Sequence, residues 1–288
     1  MDLPNGKQEA LQNIVNDLKA IDNVSAIVLG GSYATGNATA TSDVDIGIYY
    51  FNDKLFDIEN IRHVAKKHAI NNPTVTGFYE WGPWVNGGAW IETVCGKIDF
   101  IYRNMEQVKS TIEKAQDGIW ENNYEQQPPF GFSSVMYLAE TKSCIVLYDP
   151  GNIISELKAA VQDYPPKLKQ AIIQLCLWHA EFTIWHADYF AKKTDIYNTV
   201  GCLARAVKNI ITVLFAVNEL YPISDKRAVE LLEKTNKKPL ALTEKIEAIL
   251  CADKASINNN VSLLKALFDE TVQLTGERYK PFYKLRGN

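Results

Sequence analysis

The chain has 288 residues, which is enough for one large domain or for two domains of ordinary size. Hydrophobic residues make up 47% of it, so well-packed cores are expected, and the net charge is −4 with an isoelectric point near 5.7. Proteins that neutralise a nucleic-acid backbone carry a basic excess, so this mildly acidic composition argues against a nucleic-acid partner and favours a small or cationic one.

Cysteine usage and the N-terminus indicate the compartment. The five cysteines are scattered, odd in number and without a Cys-x-x-Cys pair, which predicts reduced thiols rather than disulfides or a zinc site. Residues 1–18 lack the apolar segment of a signal peptide, and no apolar run of membrane length is evident. A cytoplasmic location without a membrane partner is therefore expected.

The first part of the chain alternates helices and strands. Apolar periodicity predicts a helix over residues 7–20, a short buried strand over 24–29 and a second strand over 43–50. A further helix is predicted over 57–70, and Pro73 ends it.

The segment between the two predicted strands carries the chemistry. Gly30, Gly31 and Ser32 end the first strand at the start of a predicted helix, where glycine lets the backbone approach a ligand and free N–H groups attract phosphate. Asp43 and Asp45 point to one face of the second strand. Two adjacent carboxylates require a cation or a proton between them, and Mg²⁺ suits such a pair together with substrate phosphates. The combination predicts a site for a metal-bound nucleoside triphosphate.

This segment resembles the signature of the DNA polymerase β-like nucleotidyltransferase superfamily. The resemblance is carried by Gly31-Ser32, followed after ten residues by Asp43-Val44-Asp45-Ile46. The look-alikes in that superfamily include the bacterial antibiotic nucleotidyltransferases of the aminoglycoside and lincosamide type. The resemblance implies that Asp43 and Asp45 bind one or two Mg²⁺ ions and that small residues hold the triphosphate. Those small residues are Gly30, Gly31, Ser32 and Ser42. Many members have an arginine where this chain has Thr35, so one phosphate contact of the family is missing here.

An aromatic and glycine-rich segment follows over residues 78–91. It contains Trp81, Trp84 and Trp90. One interpretation is a loop held in place by aromatic burial. The other is an aromatic wall beside the nucleotide base or the acceptor, and the sequence leaves both open.

Alternating residues on both sides of Gly96 predict a β-hairpin with arms over 89–95 and 97–103. Asp99 is a single acidic residue in the apolar second arm, and a buried carboxylate needs a partner, for which a metal shared with the first two aspartates would serve. The strand around Asp99 also resembles the third-carboxylate strand of the superfamily. The resemblance implies that Asp99 completes the metal site and acts as the catalytic base.

Two other charged residues of the hairpin compete for a role. Glu92 lies on the first arm, and some family members use a glutamate as the base. Arg103 could neutralise phosphate or form an ordinary ion pair. Both stay candidates at this point.

The sequence predicts a fold of the α+β (α/β) class. A helix over 105–116, an irregular connection over 118–132, a short helix over 133–140 and a strand over 145–148 complete an N-terminal polymerase β-like domain with a small mixed sheet. This domain is predicted to span residues 1–150, ending at Asp149-Pro150-Gly151, and residues 151–288 to form an α-helical bundle. The bundle helices are predicted at 152–162, 166–192, 196–219, 225–235, 240–250 and 255–275.

The helical half holds no motif of comparable strength. Trp178-His179 and Trp185-His186 are interpreted as packing aromatics with satisfied histidines. Arg205 and Lys208 could reach the triphosphate or could pair with neighbouring acids. Three acids could bind a cationic acceptor or could be solvated surface groups, namely Glu181, Asp188 and Asp195.

The predicted function is transfer of a nucleoside monophosphate, AMP from ATP in the first instance, to a hydroxyl of a small-molecule acceptor such as an antibiotic, with release of pyrophosphate. Asp43, Asp45 and Asp99 are the predicted catalytic and metal-binding residues. The alternatives are an enzyme that transfers AMP to a protein, an antitoxin-like nucleotidyltransferase, and a non-catalytic nucleotide-binding regulator. A homodimer is compatible with the apolar helices.

Overall fold

The computed structural model describes residues 3–282, and its internal contacts divide the chain into two units. The first, unit 1, contains Met1–Lys114 and Trp120–Asp163, of which residues 1–2 are not described. The second, unit 2, contains Ala115–Ile119 and the chain from Tyr164 onwards. The predicted class is confirmed, because a mixed sheet occupies the N-terminal region and helices occupy the C-terminal region. The predicted domain boundary near residue 150 stays a prediction.

The elements up to residue 160 alternate between helices and strands. The helices are α1 (Asn5–Leu18), α2 (Gly31–Ala34), α3 (Ile58–His68), α4 (Met105–Gln116), α5 (Val135–Ser143) and α6 (Ile153–Ala160). The strands are β1 (Ala26–Leu29), β2 (Val44–Tyr50), β3 (Thr74–Val75), β4 (Gly88–Thr93), β5 (Gly96–Asn104), β6 (Asn122–Asn123), β7 (Phe132–Ser133) and β8 (Ile145–Tyr148). The very short β3, β6 and β7 were not predicted, because two residues carry no periodicity.

Six strands form one sheet in the order β3-β4-β5-β2-β1-β8. β2 runs parallel to β5 and antiparallel to β1, and β4 and β5 form the predicted hairpin. Alternate residues of β2 and β5 are fully buried and share one core with apolar residues of α1 and α3. These strand residues are Val44, Ile46, Ile48, Ile98, Phe100 and Tyr102. The residues between them on each strand are turned to the opposite face of the sheet.

Unit 2 is built mainly from helices. They are α7 (Pro166–Lys192), α8 (Ile196–Val217), α9 (Ala228–Glu233), α10 (Leu242–Leu250) and α11 (Ile257–Thr275). A single apolar core contains residues of all five helices. The predicted bounds hold to within about three residues, and α7 begins and ends where its sequence pattern does.

Within residues 3–282, α8 is the one helix long and apolar enough to cross a membrane. The expectation that the chain has no apolar run of that length is therefore wrong. More than half of its most apolar part, 56%, is buried inside the structure, where α8 contributes to the unit 2 core. A buried core helix meets the same criteria, so α8 is weak evidence for a membrane.

Candidate active site

Strand pairing places the key side chains in one row on the polar face of the sheet. The parallel pairing of β2 with β5 sets Asp45 opposite Asp99, and the antiparallel pairing of β4 with β5 sets Trp90 opposite Asp99. Residues paired in this way share a face of the sheet. Asp43 directly precedes β2, two residues from Asp45, and its side chain is half-exposed at 45%.

The glycine turn lies against Asp45. The Gly30 amide donates a hydrogen bond to the Asp45 carbonyl oxygen at 2.8 Å. Gly31 has φ +58°, and a Cβ atom at this position would lie only 1.7 Å from Asp45 Oδ2. Only glycine fits both restrictions. α2 begins at Gly31 rather than after Ser32 and is a single turn of four residues, whose first N–H groups have no acceptor within the helix.

A lysine that the sequence analysis did not select lies between two of the carboxylates. Lys97 Nζ is 2.9 Å from Asp99 Oδ2 and 3.4 Å from Asp43 Oδ2. Because Lys97 and Asp99 are two residues apart on β5, alternation already put them on one face. The contact with Asp43, 54 residues away in sequence, required the pairing of two strands.

The carboxylates are electrostatically crowded. Burial raises the pKa of Asp45 to about 6, and the charges of Asp99 and Asp43 add to the shift. Burial also raises the pKa of Asp99, against the opposing hydrogen bond from Lys97. Asp99 Oδ1 is buried and makes no hydrogen bond within the described residues. Lys97 therefore offsets only part of the negative charge of the three carboxylates.

The carboxylate oxygens of this site suit a divalent cation chemically, but they do not form a complete coordination shell. Within residues 3–282, no three histidine, cysteine or acidic side chains are arranged to hold a metal ion. Oxygen ligands suit Mg²⁺, which binds through one or two carboxylates and completes its coordination with substrate phosphates and water. The unpaired Asp99 Oδ1 and the raised pKa of Asp45 indicate where a cation would be favourable. The assignment of Mg²⁺ to Asp43, Asp45 and Asp99 stays a prediction.

The predicted phosphate-binding serines differ from each other. The Ser32 hydroxyl makes no hydrogen bond in the described part of the chain, so it is available to a ligand. The Ser42 hydroxyl accepts a hydrogen bond from the Thr39 amide at 2.8 Å and thereby forms part of a local turn. Thr35, which occupies the place of the family arginine, directs its hydroxyl to the Gly31 and Ser32 carbonyl oxygens at 3.2 Å each.

Lys7 of α1 is a second residue that the sequence analysis missed. It is 8% exposed, and its Nζ donates to the Ser42 carbonyl oxygen at 2.6 Å, with Tyr33 Oη at 3.1 Å and the Ala40 carbonyl oxygen at 3.3 Å. These contacts join α1 to the segment that leads into Asp43. A lysine in an amphipathic helix gives no local signal for this role.

The other two candidates of the hairpin have different surroundings. Glu92 is exposed and lies opposite Lys97 on the neighbouring strand, on the face that carries Asp99. The Arg103 side chain is only 6% exposed and forms a two-point ion pair with Glu140, with both N–O distances at 2.9 Å. Because its guanidinium is committed to Glu140, we leave Arg103 out of the proposed phosphate site.

In the tryptophan-rich segment, aromatic burial is confirmed for Trp84, and the interpretation as an aromatic wall beside a ligand stays a prediction for Trp81 and Trp90. Trp84 is buried and packs against Phe132 and Tyr137. Trp81 stacks on Trp90, with ring centroids 4.9 Å apart and planes 20° from parallel. Trp90 nevertheless stays 49% exposed beside Asp99. The Trp81–Trp90 pair therefore forms a flat aromatic surface next to the carboxylates.

Most charged candidates of unit 2 have partners within that unit. Lys208 pairs with Asp225, Asp188 pairs with Lys192 and Lys265, Glu181 accepts a hydrogen bond from Tyr279, and Asp195 caps the start of α8. Trp178 is buried as predicted, whereas Trp185 is 41% exposed and packs with one side against the rings of Phe182 and His186. Arg205 is exposed at the wall of a cavity between α7 and α8.

Comparisons with known proteins support the resemblance at the level of the superfamily. Residues 11–75 match the family model described as a nucleotidyltransferase domain, a span that contains the glycine turn, Asp43 and Asp45. Residues 133–226 match a model described as a domain of unknown function (DUF4037). No curated protein matches the chain.

One solved structure with a similar chain trace is a nucleotidyltransferase-like protein from Exiguobacterium sibiricum 255-15. The two share 9% sequence identity with a TM-score of 0.47, over 95% of this chain and 78% of the other. No functional conclusion follows from that likeness. The domain match supports nucleotidyl transfer in general, and it specifies neither an acceptor nor a metal.

Proposed function

We propose that the nucleotidyltransferase domain matched by residues 11–75 moves a nucleoside monophosphate from a nucleoside triphosphate, AMP from ATP in the first instance, to a hydroxyl of a small-molecule acceptor. The observation that carries this proposal is the alignment of Asp45 with Asp99 on parallel strands, directly beside the Gly31 turn. Carboxylates next to a turn with free amides suit a triphosphate that is bound with Mg²⁺.

The reaction forms one bond and breaks one at the α-phosphorus. The acceptor oxygen bonds to the α-phosphorus while the bond to the bridging oxygen breaks, and pyrophosphate leaves. Mg²⁺ held by Asp43 and Asp45 would supply the positive charge that stabilises the triphosphate and the leaving group. Asp99 takes the proton of the acceptor hydroxyl, and the raised pKa that burial causes makes its carboxylate a better proton acceptor.

The remaining groups bind and orient the substrates. Backbone amides at Gly31 and Ser32, with the Ser32 hydroxyl, bind phosphate oxygens. The Trp90 ring offers a flat apolar surface to the base or to the acceptor, and an exposed tryptophan fixed by a second ring is well suited to stacking. Lys97 offsets the charge of Asp43 and Asp99.

The acceptor is proposed as a class, small molecules with a free hydroxyl, of which an antibiotic is one example. The net charge of −4 suits a neutral or cationic acceptor better than an RNA. A cytoplasmic location, in which ATP and Mg²⁺ are abundant, is part of the same proposal.

The test is mass spectrometry of products after the purified chain is incubated with ATP or GTP, Mg²⁺ and a panel of hydroxyl-bearing small molecules. We expect an acceptor whose mass increases by one nucleoside monophosphate, together with stoichiometric pyrophosphate. Asp45→Asn should reduce the rate by at least about 1000-fold, because the metal ion that offsets the phosphate charge would lose a carboxylate ligand. Asp53→Asn, which changes an exposed aspartate of the same unit, should leave the rate unchanged.

Other outcomes would replace the proposal with a specific alternative. A modified protein in place of a modified small molecule would indicate transfer of AMP to a protein. Mg²⁺-dependent ATP binding without any product would indicate a nucleotide-binding regulator. Full activity of Asp45→Asn would remove the proposed site altogether.

A further inference from the structure

Two helices of unit 2 line an open cavity of about 790 Å³ that the proposed reaction does not account for. α7 and α8 are joined by residues 193–195, and so short a connection makes them antiparallel neighbours. Each helix contributes a stripe of residues four apart to the cavity wall. The stripes are Phe182, His186 and Phe190 on α7, and Tyr197, Gly201 and Arg205 on α8.

The α7 wall is a ladder of aromatic rings. The centroid of the His186 ring lies 4.6 Å from Phe182, 4.8 Å from Trp185 and 6.3 Å from Phe190. Phe182 is 38% exposed at this concave surface, and Trp185 at its margin is 41% exposed. Exposed rings clustered around a cavity are typical of a surface that binds another molecule.

Gly201 keeps the cavity open on the opposite side. His186 and Gly201 are both about six residues from the connection between the helices, so they lie at the same level. A Cβ atom at Gly201 would meet nothing within 4 Å, so packing gives no reason for glycine here. Glycine inside a helix is less favourable than alanine. The missing side chain enlarges the space opposite the His186 ring.

The charge of the cavity wall is positive. Arg205 forms no ion pair in the described part of the chain. The described residues that line the cavity include no carboxylate. His186 Nδ1 is 3.1 Å from the Phe182 carbonyl oxygen. Because a carbonyl oxygen can only accept, Nδ1 carries a hydrogen, and Nε2 is left for another partner.

We propose that this cavity binds a small planar organic anion, that is, an aromatic molecule with one carboxylate, sulfonate or phosphate group. The rings of Phe182 and His186, which lie side by side on the α7 wall, pack against one flat face of the ligand, and the Arg205 guanidinium pairs with its anionic group. The volume lies within the range of about 300–1,000 Å³ that is usual for small-molecule sites. A cationic ligand would be repelled by Arg205, and a neutral one would gain no charge-assisted hydrogen bond from its guanidinium. This site is independent of the proposed transfer reaction.

The test uses two fluorescent probes that differ in charge. 1-Anilinonaphthalene-8-sulfonate carries a planar naphthalene ring and one sulfonate, and N-phenyl-1-naphthylamine is its neutral counterpart. Both are titrated into the full chain and into three variants, Arg205→Gln, Gly201→Leu and the control Arg227→Gln, in which an exposed arginine paired with Glu230 is replaced. Circular dichroism verifies that each variant is folded, and Arg205→Met replaces the glutamine variant if that one is not.

We expect each wild-type chain to bind one molecule of the anionic probe. Arg205→Gln should weaken that binding at least about tenfold, because a charge-assisted hydrogen bond is lost. The neutral probe should bind Arg205→Gln and the wild type equally. Gly201→Leu should abolish binding of both probes because its side chain fills the cavity. Arg227→Gln should bind both probes like the wild type.

Two results would overturn the proposal. One is equal affinity of the anionic probe for the wild type, Arg205→Gln and Gly201→Leu, which would show that the probe binds elsewhere. The other is a wild-type dimer in sedimentation velocity that Gly201→Leu dissociates. In that case a second copy of the chain, rather than a small anion, would occupy this surface.

Discussion

At the scale of single residues, the site depends on how closely backbone and carboxylates approach each other. Gly31 permits Asp45 to lie directly against the turn, and Lys97 balances part of the charge of Asp43 and Asp99. Asp99 retains one buried oxygen without a hydrogen bond in the described residues. Buried polar groups are normally paired, so this orphaned oxygen indicates a missing partner rather than a stable end state.

Gly31→Ala should therefore damage the site more than the fold. The new methyl group would displace the Asp45 carboxylate, and a misplacement of about 1 Å at a reacting centre costs on the order of 100-fold in rate. The matched control is Gly36→Ala, since Gly36 also has a positive φ of +72° but has open space at its Cβ position.

The measurements for this pair are the rate of nucleotidyl transfer and the free energy of unfolding. Both variants should lose about 1 kcal/mol of stability from backbone strain, and only Gly31→Ala should also lose the rate. Equal rates in the two variants would show that the contact between Gly31 and Asp45 is unimportant.

At the scale of elements, α1 stabilises the connection between α2 and β2, which contains only local turns. Lys7 provides three donor contacts to residues 33–42, and it is nearly buried. The segment ends at Asp43, so the position of a proposed metal ligand depends on a helix more than 30 residues earlier in the chain. The helix therefore contributes to the geometry of the site as well as to the core.

Lys7→Met should lower both stability and rate. The change leaves the Ser42 and Ala40 carbonyl oxygens without their donor, which costs about 2 kcal/mol for partly buried acceptors. The transfer rate should fall at saturating ATP because Asp43 loses its fixed position. Lys19→Met is the control, since Lys19 is an exposed residue next to the end of the same helix.

Chemical denaturation and steady-state kinetics measure the two effects. Lys19→Met should resemble the wild type in both. If Lys7→Met unfolds at the same denaturant concentration as Lys19→Met, the three contacts of Lys7 contribute nothing to stability, and the assignment is wrong.

At the scale of the whole molecule, the carboxylates of the two units should affect the pH dependence of stability in opposite ways. The pKa of Asp45 rises from 3.8 to about 6 through burial and the charges of Asp99 and Asp43. The folded chain therefore retains a proton that the unfolded chain loses between about pH 4 and pH 6. The free energy of unfolding falls as the pH rises through this window, and the cost is complete above pH 6.

Asp45→Asn removes that cost, so the metal-free variant should exceed the wild type in stability at pH 8 by on the order of 2 kcal/mol, and match it near pH 4. The control in unit 2 is Asp188→Asn. Hydrogen bonds from Lys192 and Lys265 lower the pKa of Asp188, so this carboxylate stabilises the fold above its unfolded pKa and loses that contribution as the pH falls. Its removal should destabilise the chain at pH 8.

Thermal unfolding from pH 4 to pH 8 in the presence of a chelator tests the predicted direction of the stability change for both variants. We expect a higher melting temperature for Asp45→Asn and a lower one for Asp188→Asn at pH 8. Shifts of the two variants in the same direction would contradict the electrostatic description of the site.

Local patterns in the sequence predicted most of the elements and part of the candidate site. Three elements have the bounds that were predicted, namely the helices at 105–116 and 166–192 and the strand at 145–148. Apolar periodicity within each of these segments is enough to specify them. The glycine turn and Asp43-x-Asp45 were also evident, since both partners lie within one short segment. Alternation along one hairpin arm likewise put Lys97 and Asp99 on the same face.

Only the tertiary structure decided which distant groups meet. The parallel pairing of β2 with β5 brought Asp45 to Asp99 and Lys97 to Asp43, and it is the packing of α5 that commits Arg103 to Glu140. The cavity opposite Gly201 likewise requires two antiparallel helices at a defined level. Each of these contacts joins residues 15 or more positions apart, and periodicity within a segment carries no information about its partner. Strand order and helix packing supply that information, because they determine which faces are buried together.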